Sequence, residues 1–166
     1  FRLDIAHANE RAAQANATAE REKLARLQLE AKLAPRSITG DEQRRMVAKL
    51  GPLGGQRIDF LMYPNNPEIV HIAEQVGAPL RAGGWTIVAF QPMGGGSVVG
   101  MLVEYDPHDA EATHRAAVLT TALQECGLEV AGPLPTLPTP ANRLPAYLGP
   151  SNATIEASIR LTIGPK

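Results

Sequence analysis

The chain has 166 residues, a length that suits one domain or one small domain with an extension. Its 16 Lys and Arg nearly balance 17 Asp and Glu, so the formal charge of −1 predicts no nucleic-acid partner. The single cysteine, Cys126, excludes an internal disulfide framework and a multi-cysteine zinc site, and no apolar run is long enough to cross a membrane.

The segment 1–34 contains neither Gly nor Pro and is rich in Ala and in mixed charges, which predicts one long helix. Apolar residues recur at the a and d positions of a heptad repeat and predict a coiled-coil stalk that self-associates through Leu3, Ala6, Ala13, Ala17, Leu24, Leu27, Ala31 and Ala34. Glu10 and Glu20 interrupt this first stripe. A second stripe, predicted on a neighbouring face, comprises Ile5, Ala8, Ala12, Ala15 and Ala19. The alternative is a lone helix folded back on the domain.

A connector, residues 35–56, follows the stalk. Pro35 ends the long helix because it pushes the preceding residue out of the helical region. Thr39 and Glu42 have the spacing of a capping box, which predicts a short helix with Thr39 as its N-cap that runs through Leu50. Gly51 and the Gly and Pro residues after it end this helix.

The head, residues 57–166, alternates between strand and helix patterns. Strands are predicted over 58–63, 85–90, 97–105, 128–131 and 155–163, and the last of these has the clearest alternation of apolar and polar residues. Helices are predicted over 67–82 and 106–126, each followed by glycine. Pro79 should kink or shorten the first of them near its end.

The order β-α-β-β-α-β with one extra C-terminal strand predicts an α+β fold, a ferredoxin-like sandwich with two helices on one face of an antiparallel sheet. The glycine-containing link between the second and third strands suits a hairpin, and the first and third strands should be central. A doubly wound parallel sheet is the alternative, but that link is too short for a parallel crossover. The Pro-rich segment 132–150 is predicted to be an extended surface strap, with an SH3-type ligand as the alternative.

A glycine-rich loop between these strands is the first candidate ligand site. Gly94, Gly95, Gly96 and Ser97 could offer backbone N–H groups to a phosphate, but no lysine and no following helix complete a P-loop, so a hairpin loop is favoured. Trp85 could stack on a ligand, although a tryptophan after Gly83-Gly84 more often packs over a helix end.

A second candidate site precedes the last helix, where Asp106, His108, Asp109, Glu111 and His114 cluster. His108, Glu111 and His114 are the candidate metal ligands, because the last two have the i,i+3 spacing of carboxylate-bridged metal sites. Acidic residues also suit a helix N-terminus without any metal, which is the favoured interpretation. Cys126, at a helix end that raises its pKa, is interpreted as a buried thiol and not a nucleophile.

Several short motifs resemble the soluble tails of small bacterial proteins of unknown function that are predicted to be membrane-anchored. The motifs are Ala34-Pro35-Arg36, the strand around Asp59, Pro67-Glu68, Ala82-Gly83-Gly84-Trp85 and Ile163-Gly164-Pro165-Lys166. The resemblance implies a coiled coil that leads into a compact α/β domain, tethered to the bacterial inner membrane by an anchor that precedes Phe1. It implies no catalytic residues.

Two classes of function follow from these patterns. The favoured one is a non-enzymatic, homo-oligomeric interaction module, whose helical stalk displays heads to a protein partner and which needs no cofactor. The alternative is a ligand-sensing or catalytic domain that uses the glycine-rich loop, Trp85 and the cluster from Asp106 to His114. The alternative predicts a concave site where these three features converge.

Overall fold

The computed structural model describes residues 2–63, 65–92, 98–136 and 157–166, with the side chains of all of these except residues 2–6, 32, 89 and 91. The described helices are α1 (Arg2–Leu33), α2 (Gly40–Leu50), α3 (Pro67–Ala82) and α4 (Ala110–Glu125), and the strands are β1 (Arg57–Met62), β2 (Thr86–Pro92), β3 (Met101–Tyr105), β4 (Val130–Leu134) and β5 (Ile159–Ile163). Contacts divide the chain into two compact units, Phe1–Pro35 and Arg36–Lys166, the second of which we call the head.

The first unit is the helix α1. All of its described side chains are exposed, including the leucines of its last turns. Its side-chain interactions are local: Arg26 donates to Glu30 at 2.8 Å, and Thr18 donates to the Gln14 carbonyl at 3.0 Å. Because a helix gains most of its stability from a packed face, the exposure of every described side chain leaves α1 without that source of stability within its own unit.

The second helix begins as the capping box predicts. The Thr39 hydroxyl accepts from Glu42 N at 3.3 Å, and Thr39 N donates to the Glu42 carboxylate at 2.7 Å. The Thr39 hydroxyl also donates to the Glu42 carboxylate at 2.7 Å. This bond, followed by the one from Thr39 N, lowers the pKa of Glu42, since both favour its ionised form. Met46 and Leu50 are buried on the face of α2 that meets α3 and α4, so the helix predicted as part of a connector packs into the head.

Five strands form one mixed sheet in the order β2-β1-β5-β3-β4. β1 pairs in parallel with both β2 and β5, β3 pairs in parallel with β4, and β3 runs antiparallel to β5. The α+β class and the succession of strands and helices in the head are as predicted, but the ferredoxin-like strand order is wrong.

The observed sheet differs from a ferredoxin-like one in which strands are neighbours. In a ferredoxin-like sheet the strands of the two β-α-β units alternate, so each strand pairs with a strand of the other unit. Here each β-α-β unit keeps its own two strands side by side. The strand predicted as an extra one, β5, is central and separates β1 from β3. The predicted β2–β3 hairpin is also absent, because β2 pairs only with β1 at one edge of the sheet. Both edge strands contain a proline, Pro92 or Pro133, which an edge tolerates because no ladder hydrogen bond is lost.

Three helices cover one face of this sheet. α3 contacts β1 and β2, α4 contacts β3 and β4, and α2 lies between α3 and α4. β1 and β3 run in opposite directions, and the crossover from each leads outward to its own edge of the sheet. With right-handed crossovers, this arrangement brings both helices to the same face. The core between the layers is formed by alternate strand residues, among them Ile58, Phe60, Met101, Leu161 and Ile163, none more than 1% exposed.

The helix boundaries differ from the prediction only in detail. α3 spans the predicted residues and is not shortened by Pro79, which lies in the last turn and whose own carbonyl accepts from Gly83 N at 2.9 Å. α4 begins after Asp109 instead of at Asp106, because Asp109 is the residue whose carboxylate accepts the first free N–H groups. None of the helices described here is long and apolar enough to cross a membrane.

Candidate functional site

Trp85 is the part of the predicted ligand site that the structure describes. Trp85 immediately precedes β2, whereas Gly94, Gly95, Gly96 and Ser97 follow it and lie outside the described residues. Trp85 is 3% exposed, and its indole N–H donates to the Leu50 carbonyl at 3.1 Å. The ring is thus packed against the end of α2, and no ligand can stack on it in this conformation.

The Asp106 cluster lies at the end of the sheet where β1, β2 and β5 begin. Asp106 follows β3, and β3 runs antiparallel to β5 and therefore to β1 and β2. Pro92, the last residue of β2, lies at the opposite end of the strands. A strand of five to seven residues is about 17–23 Å long. The described residues therefore do not show the convergence that a ligand-binding or catalytic site built from both features requires.

The candidate metal ligands take part in other interactions or are exposed. The buried Asp106 carboxylate accepts from His108 N at 2.9 Å and lies 3.1 Å from His108 Nδ1. Glu111 forms an ion pair with Arg115 at 2.6 Å, and His114 is exposed. Across the described parts of the chain, no group of three or more His, Cys, Asp or Glu side chains is placed to hold a metal ion. The structure therefore does not gather His108, Glu111 and His114 into a metal site.

Asp109 explains the acidic start of α4. Its carboxylate accepts from Glu111 N at 3.1 Å and from Ala112 N at 3.3 Å, which makes it the N-cap of the helix. The side-chain hydrogen bond from Ser158 is the largest cause of a lowered pKa for Asp109, with these backbone bonds adding to it. The cluster thus fits the helix-capping interpretation of its sequence.

A buried ion pair that the sequence did not indicate joins Arg36 to α3. Arg36 Nε donates to Glu68 Oε1 at 2.6 Å, and Nη2 donates to Glu68 Oε2 at 2.8 Å and to the Gly164 carbonyl at 2.7 Å. The Arg36 side chain is 7% exposed, and its Nη1 has no hydrogen-bond partner among the described residues. The hydrogen bonds from Arg36 lower the pKa of Glu68. No local pattern could have predicted these bonds, because Arg36, Glu68 and Gly164 are far apart in sequence.

A cavity of about 260 Å³ lies beside this arginine. It is lined by Arg36, Ser37, Gly100, Cys126, Gly127, Leu128, Glu129 and Lys166. Cys126 is 8% exposed, and the same burial is the main cause that raises the pKa of its thiol. The sequence predicted a buried thiol with a raised pKa but attributed the shift to the helix dipole. A protonated, buried thiol is a poor nucleophile, so the cavity has no activated group from this side chain.

A row of charges crosses the face of the sheet opposite the helices. Asp59 on β1 is 1% exposed, and its Oδ2 lies 3.8 Å from Nη2 of Arg160 on β5. Glu104 on β3 is the cross-strand partner of Arg160 and accepts from Thr136 at 2.6 Å. The signal for this row was the single carboxylate inside the apolar run of β1. Arg160 thus lies between two carboxylates on the three central strands.

The apolar residues of α1 form an exposed surface. In the first stripe, Leu24 is 58% and Leu27 is 52% exposed, and Ala13, Ala17 and Ala31 are also exposed, while the side chains of Leu3 and Ala6 lie outside the described residues. Leu29 and Leu33 are 57% and 73% exposed and continue the second stripe at its spacing of three and four residues. At about 100° per residue, Leu29 and Leu33 lie about 120–180° around the helix from Leu24 and Leu27. The second stripe is therefore on the opposite face and not on a neighbouring one.

Comparisons with known proteins add no relative: no family model, no curated protein and no solved structure matches the chain. The resemblance to membrane-anchored bacterial tails stays a prediction.

Proposed function

We propose that the chain is a non-enzymatic interaction module in which α1 self-associates and presents the head to a protein partner. The observation that carries the proposal is the exposure of four leucines within ten residues of one helix, Leu24, Leu27, Leu29 and Leu33. Each exposed leucine that becomes buried contributes about 1.5–3 kcal/mol, so covering them favours association strongly. A helix that is otherwise stabilised only by local bonds gains a packed face at the same time.

The geometry of the head supports a role without catalysis. Among the described residues, Trp85 is packed against the end of α2, and the groups of the Asp106 cluster serve ion pairs and helix capping. Buried charges of the head form salt bridges, such as Arg36 with Glu68 and Arg160 with Asp59. Buried, paired charges of this kind fix the packing of a scaffold.

The test is the oligomeric state of the full chain by sedimentation equilibrium. The parent chain is expected to self-associate, and Leu24→Glu together with Leu27→Glu to associate less strongly, because the two changes place charges on the first stripe. Gln28→Glu adds a charge beside that stripe and is the matched control, expected to associate like the parent chain. A parent chain that is monomeric at concentrations of about 100 μM, where even weak specific interfaces are populated, would refute the proposal.

Tethering to a membrane is a further part of this proposal, and the resemblance to membrane-anchored tails is what supports it. A tether would concentrate the helices on one surface and raise the fraction that is associated. Fractionation of cells that express the complete reading frame tests the idea. Recovery in the membrane fraction after an alkaline wash is expected, and recovery in the soluble fraction would contradict it.

A further inference from the structure

The second stripe of α1 combines large, small and charged residues in a fixed order. From residue 15 to residue 33 it consists of Ala15, Ala19, Glu22, Arg26, Leu29 and Leu33. All six are exposed, so nothing within the unit 1–35 covers them. The order is two small residues, an acid, a base and two large residues, read from the N-terminal to the C-terminal side.

We propose that this face binds the same face of a second copy of the chain in antiparallel orientation, with the two-fold axis at residue 24. In that register Leu33 packs on Ala15 of the other copy, Leu29 packs on its Ala19, and Arg26 pairs with its Glu22. The axis repeats each of these contacts, because an isologous interface uses the same patch twice. The proposal rests on the proposed function, which it deepens by naming the face, the orientation and the register.

Complementary size is the first argument for this register. Every leucine of the stripe meets an alanine, so the interface alternates large and small side chains as close-packed helices require. Interdigitation of this kind lets two helix axes approach to about 8 Å and covers the leucines that are 57% and 73% exposed. The parallel, in-register alternative places leucine on leucine and alanine on alanine, which leaves a gap along the alanine half.

Complementary charge is the second argument. Antiparallel pairing creates two salt bridges between Glu22 of one copy and Arg26 of the other. Parallel, in-register pairing would instead place Glu22 on Glu22 and Arg26 on Arg26, which repel. The ion pair of Arg26 with Glu30 inside one helix does not prevent this, since it is exposed, with 81% and 56% of the two side chains accessible, and is therefore weak.

Disulfide cross-linking of the full chain tests the orientation, with Cys126→Ser in every variant. Ala15→Cys and Leu33→Cys are oxidised separately and as a mixture. The expected result is a disulfide-linked heterodimer in the mixture and little homodimer of either variant alone. Ala17→Cys mixed with Leu33→Cys is the matched control, because Ala17 lies on the other face, and little cross-linking is expected. Homodimers of Ala15→Cys alone, or equal cross-linking in the control, would overturn the proposal.

Charge reversal tests the register independently. Glu22→Arg or Arg26→Glu alone converts two attractive contacts into two repulsive ones and should raise the dissociation constant about tenfold. The two changes combined restore opposite charges and should return the constant to within about threefold of the parent value. Arg21→Glu, off both stripes, is the control and should have little effect. Far-UV circular dichroism of each variant checks that the helix is intact.

Three outcomes separate the two proposals. Cross-linking in the mixture with rescue by the double reversal supports the antiparallel interface. Self-association without either signal, but weakened in Leu24→Glu with Leu27→Glu, overturns the antiparallel interface and leaves the proposed function standing. A parent chain that stays monomeric overturns both, which includes the case in which a different protein covers the stripe.

Discussion

Replacement of Arg36 by Met should destabilise the head strongly, although the change is confined to one side chain. Methionine keeps most of the aliphatic length and removes the guanidinium that joins α3 to the end of β5. The variant loses the hydrogen bonds from Nε and Nη2 to Glu68 and from Nη2 to the Gly164 carbonyl, which measure 2.6–2.8 Å. It leaves the Glu68 carboxylate and the Gly164 carbonyl without the guanidinium that donates to them.

The size of the effect follows from burial. Loss of one partner of a fully buried ion pair costs about 3–5 kcal/mol. The Glu68 side chain is 21% exposed, so water can hydrate part of its carboxylate in the variant, and Arg36 N still donates to it at 3.3 Å. Removal of Arg36 also removes its Nη1, a buried donor that has no partner among the described residues. We therefore expect a loss of about 2–3 kcal/mol in the free energy of unfolding.

Urea denaturation followed by the fluorescence of Trp85, the chain's only tryptophan, measures this loss within the head. Arg44→Met is the matched control, because it breaks an exposed pair with Asp41 within the head and should cost less than about 0.5 kcal/mol. A loss for Arg36→Met no larger than that of the control would refute the reasoning from burial.

The same pair predicts a pH dependence with a defined sign. Arg36 lowers the pKa of Glu68 in the folded chain below the ordinary 4.5, so the pair stabilises the head above the unfolded-state pKa and the stabilisation is lost as the pH falls through the folded pKa. The difference between the parent chain and Arg36→Met should therefore be complete at neutral pH and should narrow below pH 4.5. A difference that grows on acidification would contradict this assignment.

Three further predictions test other contacts of the head. Trp85→Phe removes the indole N–H that bonds the last carbonyl of α2 and should cost about 1–3 kcal/mol in urea denaturation followed by circular dichroism. Gly164→Ala places a Cβ on the Val98 carbonyl oxygen and should lower the melting temperature far more than Gly51→Ala, whose Cβ meets nothing within 4 Å, and equal melting temperatures would count against the placement of Val98. Cys126, with a pKa raised by burial, should react with a thiol reagent much more slowly in the folded chain than in urea, and equal rates would show that it is accessible.

Local patterns predicted the helices of the head well. The capping box of Thr39 and Glu42 located α2, and the helical spacing of apolar residues followed by Gly83 located α3. These signals are reliable because caps and helix-ending glycines act on the backbone within one turn. The start of α4 was less certain, since both Asp106 and Asp109 precede it and only the hydrogen bonds distinguish which is the cap.

Strand pairing could not be read in the same way. The alternation of β5 predicted a strand but not its neighbours, and the short link after β2 favoured a hairpin that does not form. In the observed order β3 lies three strand positions from β2, a distance of about 14 Å across the sheet. The residues that link the two strands are numerous enough to span it, so the length of the link did not require adjacent strands. Which strands pair depends on side chains that meet across the sheet, and these come from distant parts of the chain.

The candidate sites also differ in whether the sequence could predict them. The two stripes of α1 follow from the sequence, because the position of a residue around a helix depends only on its number. The pair of Arg36 with Glu68, and the position of the Asp106 cluster at the end of the sheet where β1 and β5 begin, depend on tertiary contacts that a linear pattern does not contain.

The near-neutral charge of the sequence predicted no nucleic-acid partner, and its single cysteine excluded an internal disulfide framework. Its caps and periodicities determined the helices of the head and the faces of α1. The tertiary structure alone decided that β5 is the central strand, that Trp85 is closed under the end of α2, and that Arg36 is a buried link between α3 and β5. Helix signals act over a few residues, whereas burial and strand order are set by contacts between residues that only folding brings together.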